Sequence, residues 1–160
     1  MSGFIESVMQ YLHALAAAVL VGKVVLLSFV VAPILAKNLD LESFGRVVRR
    51  LFPAYYLLGM GAAAVGLFSL TGLAIIGGIS PTLLVAGGLW LMILAAESYC
   101  RSPLTPQSNA MRDRLKEQEQ RGAVDVQLQA AWNRLHQRSL YLNSFVLVGG
   151  LCLLGFGGRF

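Results

Sequence analysis

The chain has 160 residues, of which 56% are hydrophobic and only 13% charged, with 17 glycines besides. A soluble fold of this length cannot hide so much apolar side chain, so the composition excludes a water-soluble domain and puts the chain in a bilayer. The formal charge of +5 does not point to nucleic acid, because eleven of the thirteen Lys and Arg lie in two short segments, 37–50 and 101–138, without a recognition motif; basic segments of this kind flank membrane spans.

A spanning helix needs about 20 mostly apolar residues, and four stretches supply them, over about 8–35, 54–76, 82–98 and 135–156. The N-terminus has no basic region before its apolar run and reads as the start of the first span, not as a cleavable signal. Between spans one and two, Asp40 is placed to cap a helix from Leu41 to Phe52. Its apolar face is Phe44, Val47, Val48, Leu51 and Phe52, the pattern of a short helix in the headgroup plane, with Pro53 as a break or as the first residue of span two. Between spans three and four, Thr105-Pro106 reads as a helix start and Gly122 as its end. Asp125 caps a further helix that runs unbroken into the fourth span. The expected fold is a single all-α domain over residues 1–160: an antiparallel four-helix membrane bundle with a short interfacial helix and a cytoplasmic helical hairpin.

Topology follows from the charges. Lys37, Arg46, Arg49 and Arg50 lie in segment 36–53, and Arg101, Arg112, Arg114, Lys116, Arg121, Arg134 and Arg138 lie in or beside segment 99–134, against Arg159 alone on the other side. The positive-inside rule then makes both long segments cytoplasmic and both termini external, in the cell (inner) membrane. Arg46, Arg49 and Arg50 are candidates for anionic lipid. Small residues within the spans, including Gly59 to Gly66 and Gly149-Gly150, mark helix contacts, and a homo-oligomer or a larger membrane complex is open. Cys100 and Cys152 fall near opposite faces and read as fillers, not as a disulfide.

Lys23 is the most unusual residue. It stands roughly 18 Å from the Leu35 end of its span and about 22 Å from the Val8 end, and a mid-span lysine costs about 2.5–3.5 kcal/mol on insertion scales. With no carboxylate on spans two or four at that depth, Lys23 is expected to lean toward Glu97 and pair with it inside the bundle. Glu97 could instead pair with Arg101 or Arg138. His136, Ser139 and Asn143 share one face of span four, at the same depth band as Glu97 and the Tyr55-Tyr56 pair. Together these make a candidate ligand or proton pocket of Lys23, Glu97, His136, Ser139, Asn143 and Tyr55, in which Glu97 and His136 could hold a metal ion. His13, at the opposite end of span one, is a candidate haem ligand. No nucleophile triad, phosphate loop or catalytic carboxylate pair is present, so the residues lean away from an enzyme.

The stretch Ser28-Phe-Val-Val-Ala-Pro33, the run Phe44-Gly-Arg-Val-Val-Arg-Arg-Leu-Phe-Pro-Ala-Tyr-Tyr56, Thr105-Pro-Gln-Ser-Asn109 and Leu135-His-Gln-Arg-Ser-Leu-Tyr-Leu-Asn143 together resemble the transmembrane protein 205 family along nearly the whole chain. The resemblance implies a four-span integral membrane protein of a mostly uncharacterised family, one branch of which is associated with platinum-drug resistance and membrane traffic. More distantly, His13 is similar to the first-helix histidine of four-span copper-resistance and haem-binding membrane families. Three readings follow: a bundle that binds and moves a metal ion or small polar solute, a small subunit or scaffold that docks a partner through residues 106–134, and a haem-binding redox protein.

Overall fold

The computed structural model describes residues 2–122 and 125–157; Arg159 of the charge count lies outside them. Four long helical rods account for nearly all of this: α1 Ser2–Asn38, α2 Leu41–Gly77, α3 Pro81–Gln120 and α4 Val126–Gly155, each long and apolar enough to cross a membrane. Tight connections join them, so the direction alternates. The rods form a ring in which α1 packs on α2 and α4, and α3 packs on α2 and α4. That leaves α1 and α3 on one diagonal and α2 and α4 on the other. The core along the axis holds Leu20, Trp90, Ile93 and Leu153, fully buried. Outside it, Phe29, Phe68, Ile75, Leu84 and Leu151 are exposed around the bundle, as a lipid-facing surface requires.

The end signals at Asp40, Gly122 and Asp125 act where the sequence puts them, and Ser80 supplies a further cap. Asp40 accepts from the Ser43 amide at 2.8 Å, Ser80 caps α3 from the Leu83 amide at 3.2 Å, and Asp125 caps α4 from the Gln127 amide at 2.8 Å. Gly122 stops α3 with a φ of +74°, a left-handed conformation that suits glycine.

Two expectations are corrected. Residues 41–52 are not a separate interfacial helix, because α2 runs straight through Pro53. A helical proline removes only one hydrogen bond, and here Phe52 holds the joint together by stacking on Tyr56, with ring centroids 5.7 Å apart, and meeting Tyr55 edge-on. The helix Thr105–Gln120 begins where expected, but it is not separate from span three. A π turn over Cys100–Leu104, containing Pro103, carries α3 onward, and the Thr105 hydroxyl donates to the Cys100 carbonyl at 2.6 Å. A similar π turn, Leu26–Val31, precedes Pro33 in α1. Widening the helix by one residue lets each proline enter without breaking the rod. The hairpin expected at residues 106–134 is thus the extension of α3 and α4 beyond the spans, folded against the start of α2.

Candidate functional site

Several buried polar contacts run along the diagonals of the bundle. On the α1–α3 diagonal, Lys23 Nζ donates to Glu97 Oε1 at 2.5 Å, with both side chains almost completely buried. Arg101 and Arg138 take no part. The ammonium also lies 3.5 Å from the Tyr55 carbonyl oxygen and 3.8 Å from the centroid of the Tyr55 ring, so a cation that lipid would reject is wrapped by acceptors and a π face. Glu97 Oε2 is buried with no hydrogen-bond partner among the described residues. Gly59 of α2 makes room for the pair, since a Cβ there would collide with both the carboxyl and the ammonium.

One layer toward the basic end, the α2–α4 diagonal is bridged by hydroxyls. Tyr55 donates to Asn143 Oδ1 at 2.8 Å, and the Tyr56 hydroxyl lies 3.2 Å from Ser139 Oγ. Asn143 Nδ2 in turn donates to the Ser139 carbonyl at 2.8 Å. The two layers are continuous, because the Tyr55 ring covers the Lys23 ammonium while its hydroxyl reaches α4. Lys23, Glu97, Tyr55, Ser139 and Asn143 are therefore brought together as one polar core.

Above this core a groove of about 520 Å³ opens toward the basic end, between the ends of α1, the first half of α2 and the extensions of α3 and α4. Tyr55, Tyr56, Ser139 and Asn143 line its floor, and Phe44, Val48, Phe52 and Leu140 are among its apolar walls. Ligand pockets span roughly 300–1,000 Å³, so the groove has the size of a site. His136 lines it too, but exposed and stacked flat on Trp132 at 5.6 Å, whereas the buried Glu97 does not line the groove. No group of three metal-ligating side chains converges among the described residues. The expected Glu97–His136 metal pair thus has no third ligand beside it, and Lys23 already neutralises the carboxylate.

His13 belongs to a different layer. It is fully buried, its Nε2 donating to the Leu153 carbonyl at 3.2 Å and its Nδ1 accepting from the Trp90 indole at 3.4 Å. Haem ligation by His13 would have to break one of these bonds. Trp90 packs over Gly66 as the ion pair packs over Gly59. Cys100 is buried and Cys152 exposed, both as free thiols.

Beyond the groove, Asp113 takes a two-pronged salt bridge from Arg49, at 2.6 and 3.1 Å, and Glu42 is shared by Arg46 and Lys116. The Arg49 guanidinium holds the Asp113 carboxyl below the usual carboxylate range, and Asp113 raises Arg49 in return. Sequence reasoning marked Gly59 only as a helix contact, counted Arg112 only among the basic residues, and did not single out Trp90. Gly59 and Trp90 carry a faint signal, a small residue and a large aromatic in otherwise uniform spans; Arg112 carries none beyond its place in a basic segment.

A family model described as a domain of unknown function, DUF4149, matches residues 15–116. Neither a curated protein nor a solved structure matched the chain.

Proposed function

The chain belongs to the DUF4149 family, which brings no assigned activity, and from the geometry of the site we propose that it is a non-enzymatic, multi-pass membrane protein that binds a small polar or amphiphilic solute in the groove at its basic end. The observation that carries this reading is the groove itself, roomy enough for a ligand and floored by tyrosine, serine and asparagine groups that rest on the Lys23–Glu97 pair. A homeostatic or resistance role, through binding or passage of such a solute, is the corresponding functional class. The likeness to the transmembrane protein 205 family supports the same multi-span frame.

A metal-ion cargo has less support, since the Lys23 ammonium occupies the position a cation would take beside Glu97. The scaffold reading also has less, because the extension of α3 is turned toward α2 through Arg49–Asp113 and Glu42–Lys116. By the charge distribution we place the groove at the cytoplasmic face.

Native mass spectrometry of the full chain in nanodiscs tests the proposal. The wild type is expected to retain a bound small molecule that Val48→Trp, which fills the groove, expels without unfolding the bundle. Identical spectra for the two, with no bound mass, would overturn it.

A further inference from the structure

The groove contains an asymmetry that narrows the class of its occupant. Among the described residues, the charged ones lining it are Arg49 and Arg112, and no carboxylate lines it. Arg49 is already committed to Asp113 through two hydrogen bonds. Arg112 is half-buried and forms no salt bridge among the described residues. Its guanidinium is laid against Gly45, where a Cβ would stand 3.2 Å from Cζ, so the missing side chain is what gives it that seat. A guanidinium held in this way keeps its planar fork of donors for a bidentate partner such as two oxygens of a phosphate.

The rest of the groove is of opposite character. Leu27 and Leu35 of α1, Val48 and Phe52 of α2, Leu104 of α3 and Leu140 of α4 make an apolar wall from the arginines down to the floor. Seven residues of α2 separate Arg49 from Tyr56, a drop of about 10 Å at helical rise. The floor hydroxyls are already hydrogen-bonded, Tyr55 to the Asn143 amide oxygen and Tyr56 to Ser139, so an apolar tail can end on them without stranding a polar group.

From this combination, and resting on the reading above, we propose that the groove holds an anionic phospholipid of the surrounding leaflet, its phosphate on Arg112 and part of one acyl chain along the apolar wall. Charge complementarity and position select this occupant. The arginines sit where the helices leave their apolar spans, the level at which a phospholipid carries its phosphate, and basic pockets between spans at this depth suit anionic headgroups. A free phosphate would leave the apolar wall uncovered, and a choline headgroup would find no carboxylate within the groove. The adjoining outer cleft, which shares Gly45, Arg49 and Arg112, adds Arg46 and Lys116, both paired to Glu42, together with Asp113, held by Arg49, and Glu119.

The test exchanges the full chain into nanodiscs holding phosphatidylglycerol and phosphatidylcholine of identical chains, then reads retained lipid by native mass spectrometry. Phosphatidylglycerol is expected to be retained preferentially. Arg112→Gln should lower that retention roughly tenfold or more, the loss of a charge-assisted pair. Arg112→Lys, which keeps the charge but not the fork, should fall between. Equal retention of the two lipids, or displacement of phosphatidylglycerol by excess inorganic phosphate, would overturn the proposal. Should both Arg112 variants unfold, the preference of the wild type and its loss in Val48→Trp decide. An occupant that Val48→Trp expels but that is no anionic lipid sinks this inference alone; no expelled occupant sinks the binding reading as well.

Discussion

The Lys23 ammonium meets the Glu97 carboxylate across the diagonal of the bundle, at 2.5 Å, although α1 and α3 make no close backbone approach to each other. Removing one partner of such a pair strands the other charge in an apolar interior, which typically costs about 3–5 kcal/mol. Lys23→Met is therefore expected to destabilise the protein by that order in unfolding experiments in lipid or detergent. Glu97→Gln in the same chain should recover much of the loss. Additive effects of the two changes would show that the residues do not act as a pair.

Gly59 is the third element of that site. Gly59→Ala places a methyl group against the Glu97 carboxyl and the Lys23 ammonium and should cost about 1–3 kcal/mol through overpacking. Gly61→Ala, two residues on, has open space around it and serves as the control. Equal unfolding temperatures for the two variants would contradict the packing described.

Asn143 accepts from the Tyr55 hydroxyl at 2.8 Å. Hydrogen bonds between membrane helices average about 0.6 kcal/mol, so Asn143→Leu should leave the bundle folded and nearly as stable. Ligand retention by the groove, in contrast, should drop, because the unbonded tyrosine hydroxyl then faces the site. A folded Asn143→Leu that retains its occupant like the wild type would remove Asn143 from the floor's function.

The Arg49–Asp113 bridge gives a pH dependence outside the membrane spans. Asp113 has a lowered pKa in the folded state, with its hydrogen bonds from Arg49 as the largest cause. Its stabilisation is therefore complete above the ordinary carboxylate value, about 3.9, and is lost as pH falls through the depressed one. Both side chains are well exposed, so the effect is only a few tenths of a kcal/mol, weakened further by salt. Amide protection in the extension of α3, taken relative to the intrinsic exchange rate at each pH, should fall below that pH in the wild type. In Asp113→Asn it should already be lowered at neutral pH, and equal protection in both proteins would argue against the bridge.

Orientation is open to labelling. A cysteine in place of Arg114 should react only with reagents that reach the cytoplasm, and tags at either terminus should be accessible from outside. Reversed labelling would move the groove to the outer leaflet.

Hydropathy, caps and charge made four spans, their alternation and most of their end signals legible in the sequence, because each is a local property: a run of apolar residues, an Asp at a helix start, a glycine at its stop. The meeting of Lys23 with Glu97 was legible too, for a physical reason. A charge at mid-span must find a partner inside the bundle, and helix three carries the one carboxylate near that depth. Continuity through Pro53 and Pro103 was not, since a proline marks a break until aromatic contacts or a π turn absorb it. Only the tertiary structure decided which helices lie on a diagonal. With that came the separation of His136 from Glu97, the engagement of His13 by Trp90 and Leu153, and the seat of Arg112 on Gly45. These depend on the rotation of each rod about its axis, which uniformly apolar spans leave undetermined and side-chain packing between helices fixes.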